Sequence, residues 1–167
     1  NQFNEDMFLV MKDEKREITL LALGDGVSTA KLGSGKEASS ILRKNIIEAF
    51  KEKAPLLKDE TSIKEFCSKV IAKSNIDIIE SIKTKVDITK ETPSGIMATT
   101  LILAVIVRNK MYYTSIGDSR LFIYSEKDGL NLLNYEDNVM NLKLANGMAW
   151  DKVVNSEGRY AITRYIG

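Results

Sequence analysis

No histidine occurs anywhere in the chain, and there is a single cysteine and a single tryptophan. Each shortage removes chemistry. Without histidine there can be no Ser-His-Asp triad, no HExxH zinc site and no imidazole proton shuttle. Any hydrolysis must therefore lean on a metal or on carboxylates. A lone cysteine, Cys67, excludes an intramolecular disulfide, which agrees with a reducing, cytoplasmic setting. Nor does Cys67 read as a phosphatase nucleophile, because the run CSKVIAK lacks the following arginine that would grip a phosphoryl dianion with two hydrogen bonds. Charge of either sign is not in excess: 24 Lys and Arg against 23 Asp and Glu leave a net charge of +1. There is thus no basic field for a nucleic-acid backbone, and no nucleic-acid partner is expected. Apolar runs are short. The longest, around 101–107, falls far below the roughly 20 residues that span a bilayer, and the start does not resemble a signal peptide. No membrane partner is expected.

What is present suits one domain with a real core: 167 residues, 44% of them hydrophobic. Residues 7–12 and 17–23 are apolar runs separated by the polar cluster Asp13, Glu14, Lys15 and Arg16, the pattern of a β-hairpin. From Ser34 onward Ala38, Ile41, Leu42, Ile46, Ala49 and Phe50 recur at helical spacing up to Pro55. A second helix is expected to start at Ser62, with Glu65 completing a capping box, and to bury Phe66, Cys67, Val70, Ile71, Ile78 and Ile82. Thr92, Pro93, Ser94 and Gly95 read as a linker. Residues 99–107 are apolar on both alternating faces, as a central strand would be. Turn signals at Asn109-Lys110, Gly117-Asp118-Ser119 and Lys127-Asp128-Gly129 then predict a meander of antiparallel strands. Short helices are expected over 137–154, anchored by Leu142, Leu144 and Trp150. The class is α+β: antiparallel sheet covered on both faces, with the helix pair on at least one.

The stretch ALGDGVSTAKLGSGKEAS, residues 22–39, poses a choice between a phosphate cradle and a metal site. A P-loop needs glycine, four residues, then Gly-Lys-Ser/Thr. Gly35-Lys36 supplies the centre, but Ala30 stands in place of the first glycine and Glu37 in place of the hydroxyl. The cradle fails, leaving Asp25 at a strand end. Other acids stand in comparable places: Glu5 and Asp6 just ahead of the first strand, and Asp118 in a tight turn. Hard cations such as Mg²⁺ and Mn²⁺ take oxygen ligands of this kind. Taken singly, an Asp-Gly pair is more often only a turn.

Taken in order, these segments resemble the PPM (type 2C) metal-dependent serine/threonine protein phosphatases. Asn4-Glu5-Asp6 is similar to that family's Asn-Glu-Asp entry motif, and Leu23-Gly24-Asp25-Gly26-Val27 to its strand-end Asp-Gly. Gly35-Lys36-Glu37-Ala38-Ser39 resembles its Gly-x-x-Ala-Ser helix start, and Ala98-Thr99-Thr100-Leu101 its Gly-Thr-Thr-Leu. Ile116-Gly117-Asp118-Ser119-Arg120 is similar to Val-Gly-Asp-Ser-Arg, Asp137-Asn138 stands where Asp-His is common, and the closing ITRYIG resembles Leu-Thr-Arg-Ala-Leu-Gly. The resemblance implies a β-sandwich flanked by helices in α-β-β-α layers, incomplete at the C-terminus over residues 1–167. It also implies a dinuclear Mg²⁺ or Mn²⁺ site and hydrolysis of phosphoserine or phosphothreonine in a phosphoprotein substrate by a metal-activated water. Asp25 would bridge the ions, the Gly26 carbonyl, Glu5 and Asp6 would be further ligands, and Asp118 would serve a third metal. The catalytic work would fall to Asp25, Glu5 and Asp6.

The departures from the pattern point elsewhere. Asn1 occupies the place of the family's phosphate-binding arginine, Val27 stands where His or Met is common, and two further metal-binding aspartates have no counterpart up to Gly167. These favour a second reading, a weak or inactive phosphatase-like regulatory binding module. A third is a metal-dependent hydrolase of smaller phosphate esters.

Overall fold

Alternation of apolar and polar side chains gives the first two runs one core-facing side each, and they pair as the expected hairpin. In the computed structural model, which describes residues 4–27, 29–30, 32–84 and 95–167, β1 is Met7–Asp13 and β2 is Ile18–Gly24. They run antiparallel, joined by a 3-10 turn over Glu14–Arg16. Two more strands, β3 (Leu101–Val107) and β4 (Lys110–Ile116), complete a four-stranded sheet in the order β1-β2-β3-β4. β3 sits inside the sheet, and its first five residues are buried, which is why that run could be apolar on both sides.

Two long helices cover one face. α1 (Gly35–Lys53) is capped by Ser34, whose side chain accepts from the Glu37 amide. It ends at a 3-10 turn, Ala54–Leu56, that carries Pro55. α2 (Glu60–Lys83) begins earlier than its sequence signal suggests. Asp59 is the N-cap and Ser62 is its reciprocal partner, so the capping box is Asp59 to Ser62 and not Ser62 to Glu65. Glu65 instead pairs with Lys69 one turn on, at 2.6 Å on the exposed side. Leu42, Ile46, Phe50, Phe66, Val70, Ile78 and Ile82 form one core with Leu20, Leu101, Leu103 and Val105 of the sheet. Full burial of each such side chain contributes about 1.5–3 kcal/mol. Ile41, Ala49 and Ile71, expected in the core, sit at its edge. A polar clamp joins the helices, with Asn45 Nδ2 donating to Asp77 Oδ2 at 2.9 Å and Ser81 Oγ to Glu37 Oε1 at 2.7 Å.

The other face of the sheet is covered only in part. Ile102 and Ala104 are buried there, whereas Phe8, Val10, Leu21 and Leu23 on β1 and β2 are exposed. The expected meander also divides. After β4 the chain leaves the sheet and forms a separate hairpin, β5 (Phe122–Ser125) with β6 (Gly129–Leu132). The cause lies at Gly117, whose amide donates to Asp137 Oδ2 and whose carbonyl accepts from the Asp137 amide, both at 2.9 Å. These bonds turn the chain away from β4. The hairpin root leans back over the open face, where the Tyr113 hydroxyl donates to the Leu133 carbonyl. The architecture is α+β, antiparallel sheets flanked by helices.

Short helices do follow, α3 (Val139–Ala145) and α4 (Trp150–Val154). Their anchor is not the expected one: Leu142 and Trp150 are exposed, and Val153 is the fully buried residue. Among the described residues no helix is long and apolar enough to cross a membrane. Asn1 and the linker residues Thr92, Pro93 and Ser94 lie outside the described residues.

Cys67 lies buried on the core side of α2, and burial pushes its thiol up to about 11. Little thiolate forms at neutral pH, so native protein should react with a thiol reagent far more slowly than unfolded protein. Comparable rates in buffer and in denaturant would contradict the packing of this face.

Candidate functional site

Asp25 follows directly on β2, and its backbone is clamped from β3. The Asp25 amide donates to Thr100 Oγ1 at 2.9 Å, the Thr100 amide donates to the Asp25 carbonyl at 2.9 Å, and Thr99 Oγ1 donates to the same carbonyl at 3.2 Å. Thr99 and Thr100 are fully buried. Their hydroxyls thus do backbone work at a strand end where the ladder runs out. Sequence reasoning singled out the Thr-Thr pair as a motif without assigning it this task.

The glycine-rich run finds its explanation beside Asp25. A Cβ on Gly26 would lie 2.3 Å from Gly35 carbonyl carbon and oxygen, and one on Gly35 would lie 2.4 Å from the Gly26 carbonyl carbon. Two backbones touch where the first turn of α1 meets the end of β2. Neither glycine has a positive φ, so close approach and not conformation requires them. One turn further along α1, the buried Ser39 donates from Oγ to the Glu5 carbonyl at 2.7 Å. This bond ties the segment before β1 to α1. Asn4 Oδ1 accepts from the Asp6 amide at 2.9 Å, ordering the same segment.

Asp118 arrives from the other side. Gly117 has φ 98 and a Cβ there would strike Thr100 Cγ2 at 2.6 Å, so only glycine fits this turn. Ser119 Oγ shares a 2.7 Å hydrogen bond with Thr100 Oγ1. One threonine hydroxyl therefore touches both the Asp25 amide and the residue after Asp118. Behind the turn, Arg164 Nε donates to Asp137 Oδ2 at 3.0 Å, and Arg120 pairs with the buried Glu136. Asp137 and Glu136 are the residues that sequence reasoning left without a role.

The predicted acids converge. The Asp25 carboxyl is held above the usual carboxylate range, first by partial burial, then by the charge of Asp6 and a side-chain hydrogen bond with it, and then by Asp118 and Glu5. Among the described residues no lysine or arginine forms an ion pair with any of these four acids. Asp25, Gly26 and Asp118 line a cavity of about 570 Å³ together with Val27, Tyr160 and Tyr165. Glu5 and Asp6 are not part of that lining. The donor set, carboxylates and a glycine carbonyl, is the hard-oxygen chemistry of Mg²⁺ or Mn²⁺, and the gathered negative charge favours a cation. Among the described residues the acids do not form a ready-made cage of three or more ligands. They fit an ion that keeps several waters.

The sequence pattern of the protein phosphatase 2C family matches residues 1–142. The chain belongs to that family. No curated protein sequence matches it. Among solved structures, the serine/threonine phosphatase of S. agalactiae superposes with a TM-score of 0.79 at 21% identity, covering 100% of this chain and 64% of that one. Serine/threonine phosphatase Stp1 from Staphylococcus aureus gives 0.77 at 19%, covering 99% and 61%. The catalytic domain of the serine/threonine phosphatase PstP, in complex with two manganese ions, gives 0.66 at 18%, again covering 99% and 61%. The chain thus spans less than two thirds of the length of these structures, with which it shares a fold.

Two outcomes follow from the geometry. Gly35→Ala, which within a helix would ordinarily stabilise, should here destabilise by about 1–3 kcal/mol, because the methyl group meets the Gly26 backbone. A rise in thermal midpoint would show that the two backbones do not touch. Asp25, with its folded pKa above the unfolded value, costs stability as pH rises from that unfolded value through the raised folded one. Asp25→Asn should therefore raise the midpoint of metal-free protein at neutral pH and leave it nearly unchanged at pH 3. An equal gain at both pH values would contradict the charge repulsion.

Proposed function

We propose that the protein hydrolyses phosphoserine and phosphothreonine in phosphoproteins, using Mg²⁺ or Mn²⁺ held by Asp25, the Gly26 carbonyl, Glu5 and Asp6, with Asp118 serving a further ion. The observation that carries this reading is the convergence of Asp6, Asp118 and Glu5 on Asp25, none of which is ion-paired to a lysine or arginine among the described residues. A bound divalent ion supplies Lewis acidity and an activated water, which removes the need for histidine. The chain's own residues orient: Thr99 and Thr100 fix Asp25, Ser39 holds the Glu5 segment, and Gly117 with Ser119 sets Asp118. Tyr160, Ile162 and Tyr165 offer an apolar wall beside the acids for the peptide around the phosphorylated residue. Residues 1–167 make up the larger part of a PPM-type domain in this reading. In this reading the protein is a cytoplasmic signalling phosphatase without a nucleic-acid or membrane partner; the single cysteine agrees with a reducing compartment and the balanced charge with the lack of a nucleic-acid partner.

A regulatory module that binds phosphoprotein without turning it over is the second reading. Val27 favours it, since it places an aliphatic side chain on the cavity wall where an acid-base group would aid catalysis. Turnover of a phosphothreonine peptide with Mn²⁺ by the intact protein separates the two. Asp25→Ala should lower that turnover by at least about ten-fold while the circular dichroism is unchanged. Retention of most of the activity would remove Asp25 from the mechanism, and peptide binding without turnover by the unaltered protein would establish the second reading.

A further inference from the structure

The end of the sheet remote from Asp25 carries a second opening. The turn after β1, the turn between β3 and β4, and the 3-10 turn ahead of α2 surround a cleft of about 920 Å³. β2 leads from this cleft to Asp25, and its seven residues, at ~3.3 Å each, place the two openings roughly 20 Å apart. The lining is one-sided in charge: Lys15, Arg16, Lys58, Arg108 and Lys110 against Asp59 alone. Asp59 is already engaged, its carboxylate accepting from the Ser62 amide at 2.9 Å as the cap of α2. Arg16 is held by Asp13 at 2.7 Å, and Arg108 stands 4.0 Å from Glu17. Lys15, Lys58 and Lys110, all exposed, have no ion pair among the described residues. Below the cations the floor is apolar, formed by the buried Leu57 and the half-buried Val107 and Tyr112, with Pro55 at its side.

Three ammonium groups without an ion pair among the described residues, with only Asp59 acting on Lys58, stand over an apolar floor and suit a ligand that carries carboxylates and aliphatic side chains together. We propose that this cleft binds a short acidic segment of a partner protein, an extended run of Asp and Glu with aliphatic residues between them. The size of the positive region selects this class over a broad polyanion. Asp13, Glu14, Glu17 and Glu60 fringe the cleft without lining it, so a nucleic acid or an anionic lipid surface laid across this end would meet them. The inference stands apart from the phosphatase reading, because it concerns binding at a site that contains none of the acids around Asp25.

Fluorescence anisotropy of a labelled ten-residue peptide of Glu, Asp and Leu, titrated with the intact protein, tests it. Replacing Lys15, Lys58 and Lys110 together by Glu should weaken binding by at least about ten-fold, and replacement by Gln should weaken it less. Raising the salt concentration should weaken it as well. Asp25→Ala should leave it unchanged. Equal affinity for a peptide with Gln and Asn in place of the acids would overturn the proposal, as would unchanged binding by the Glu variant. Stronger competition by single-stranded DNA or by phosphatidylserine vesicles than by unlabelled acidic peptide would overturn it too.

Discussion

The contact between the backbones of Gly26 and Gly35 is the constraint on which the rest of the site depends. It brings the first turn of α1 against the end of β2, with no side chain between them. Because α1 is seated there, Ser39 reaches the Glu5 carbonyl and carries the segment of Glu5 and Asp6 alongside Asp25. Because the loop after β2 is pressed inward, its amide and carbonyl groups turn to the buried hydroxyls of Thr99 and Thr100. A methyl group at either glycine would push these pieces apart together, since interiors transmit such strain.

A second layer of support explains how a negatively charged centre survives in the fold. Gathering Glu5, Asp6, Asp25 and Asp118 costs free energy through mutual repulsion. The cost is offset elsewhere, by a core in which Leu20, Leu42, Ile46, Ile78, Leu101 and Leu103 are all fully buried. The backbone at Asp25 and Glu5 is held by the hydroxyls of Thr100, Thr99 and Ser39, so no charged side chain is used to position them. Arginines nearby have other partners: Arg120 is taken by Glu136 and Arg164 by Asp137. These two arginines thereby brace the turn that carries Asp118 through Glu136 and Asp137, while Arg120 still feels the charge of Asp118.

Helices, core strands and the general class were legible in the sequence because they rest on local periodicity. The stripe of Leu42, Ile46 and Phe50, and the doubly apolar run of β3, each follow from one repeating pattern. Pattern reading failed at the start of α2, where Ser62 reads as the cap and is instead the partner of Asp59 three residues earlier. The expected meander failed for a different reason, since the bonds that redirect the chain at Gly117 come from Asp137, twenty residues on in sequence. Trp150 was a misleading anchor because an aromatic can lie on the surface while the smaller Val153 fills the core.

By itself, then, the sequence determined the absence of histidine and disulfide chemistry, the amphipathic faces of α1 and α2, and the residue types available to hold a hard cation. These are properties of composition and of spacing along the chain. Only the tertiary structure decided that Asp6, Asp118 and Glu5 converge on Asp25, that Gly26 needs Gly35, and that Lys15, Lys58 and Lys110 ring one cleft. Those groups come from segments far apart in sequence. Their meeting depends on strand register and helix seating, which are set by the packing of the whole core and leave no periodic trace in any one stretch of chain.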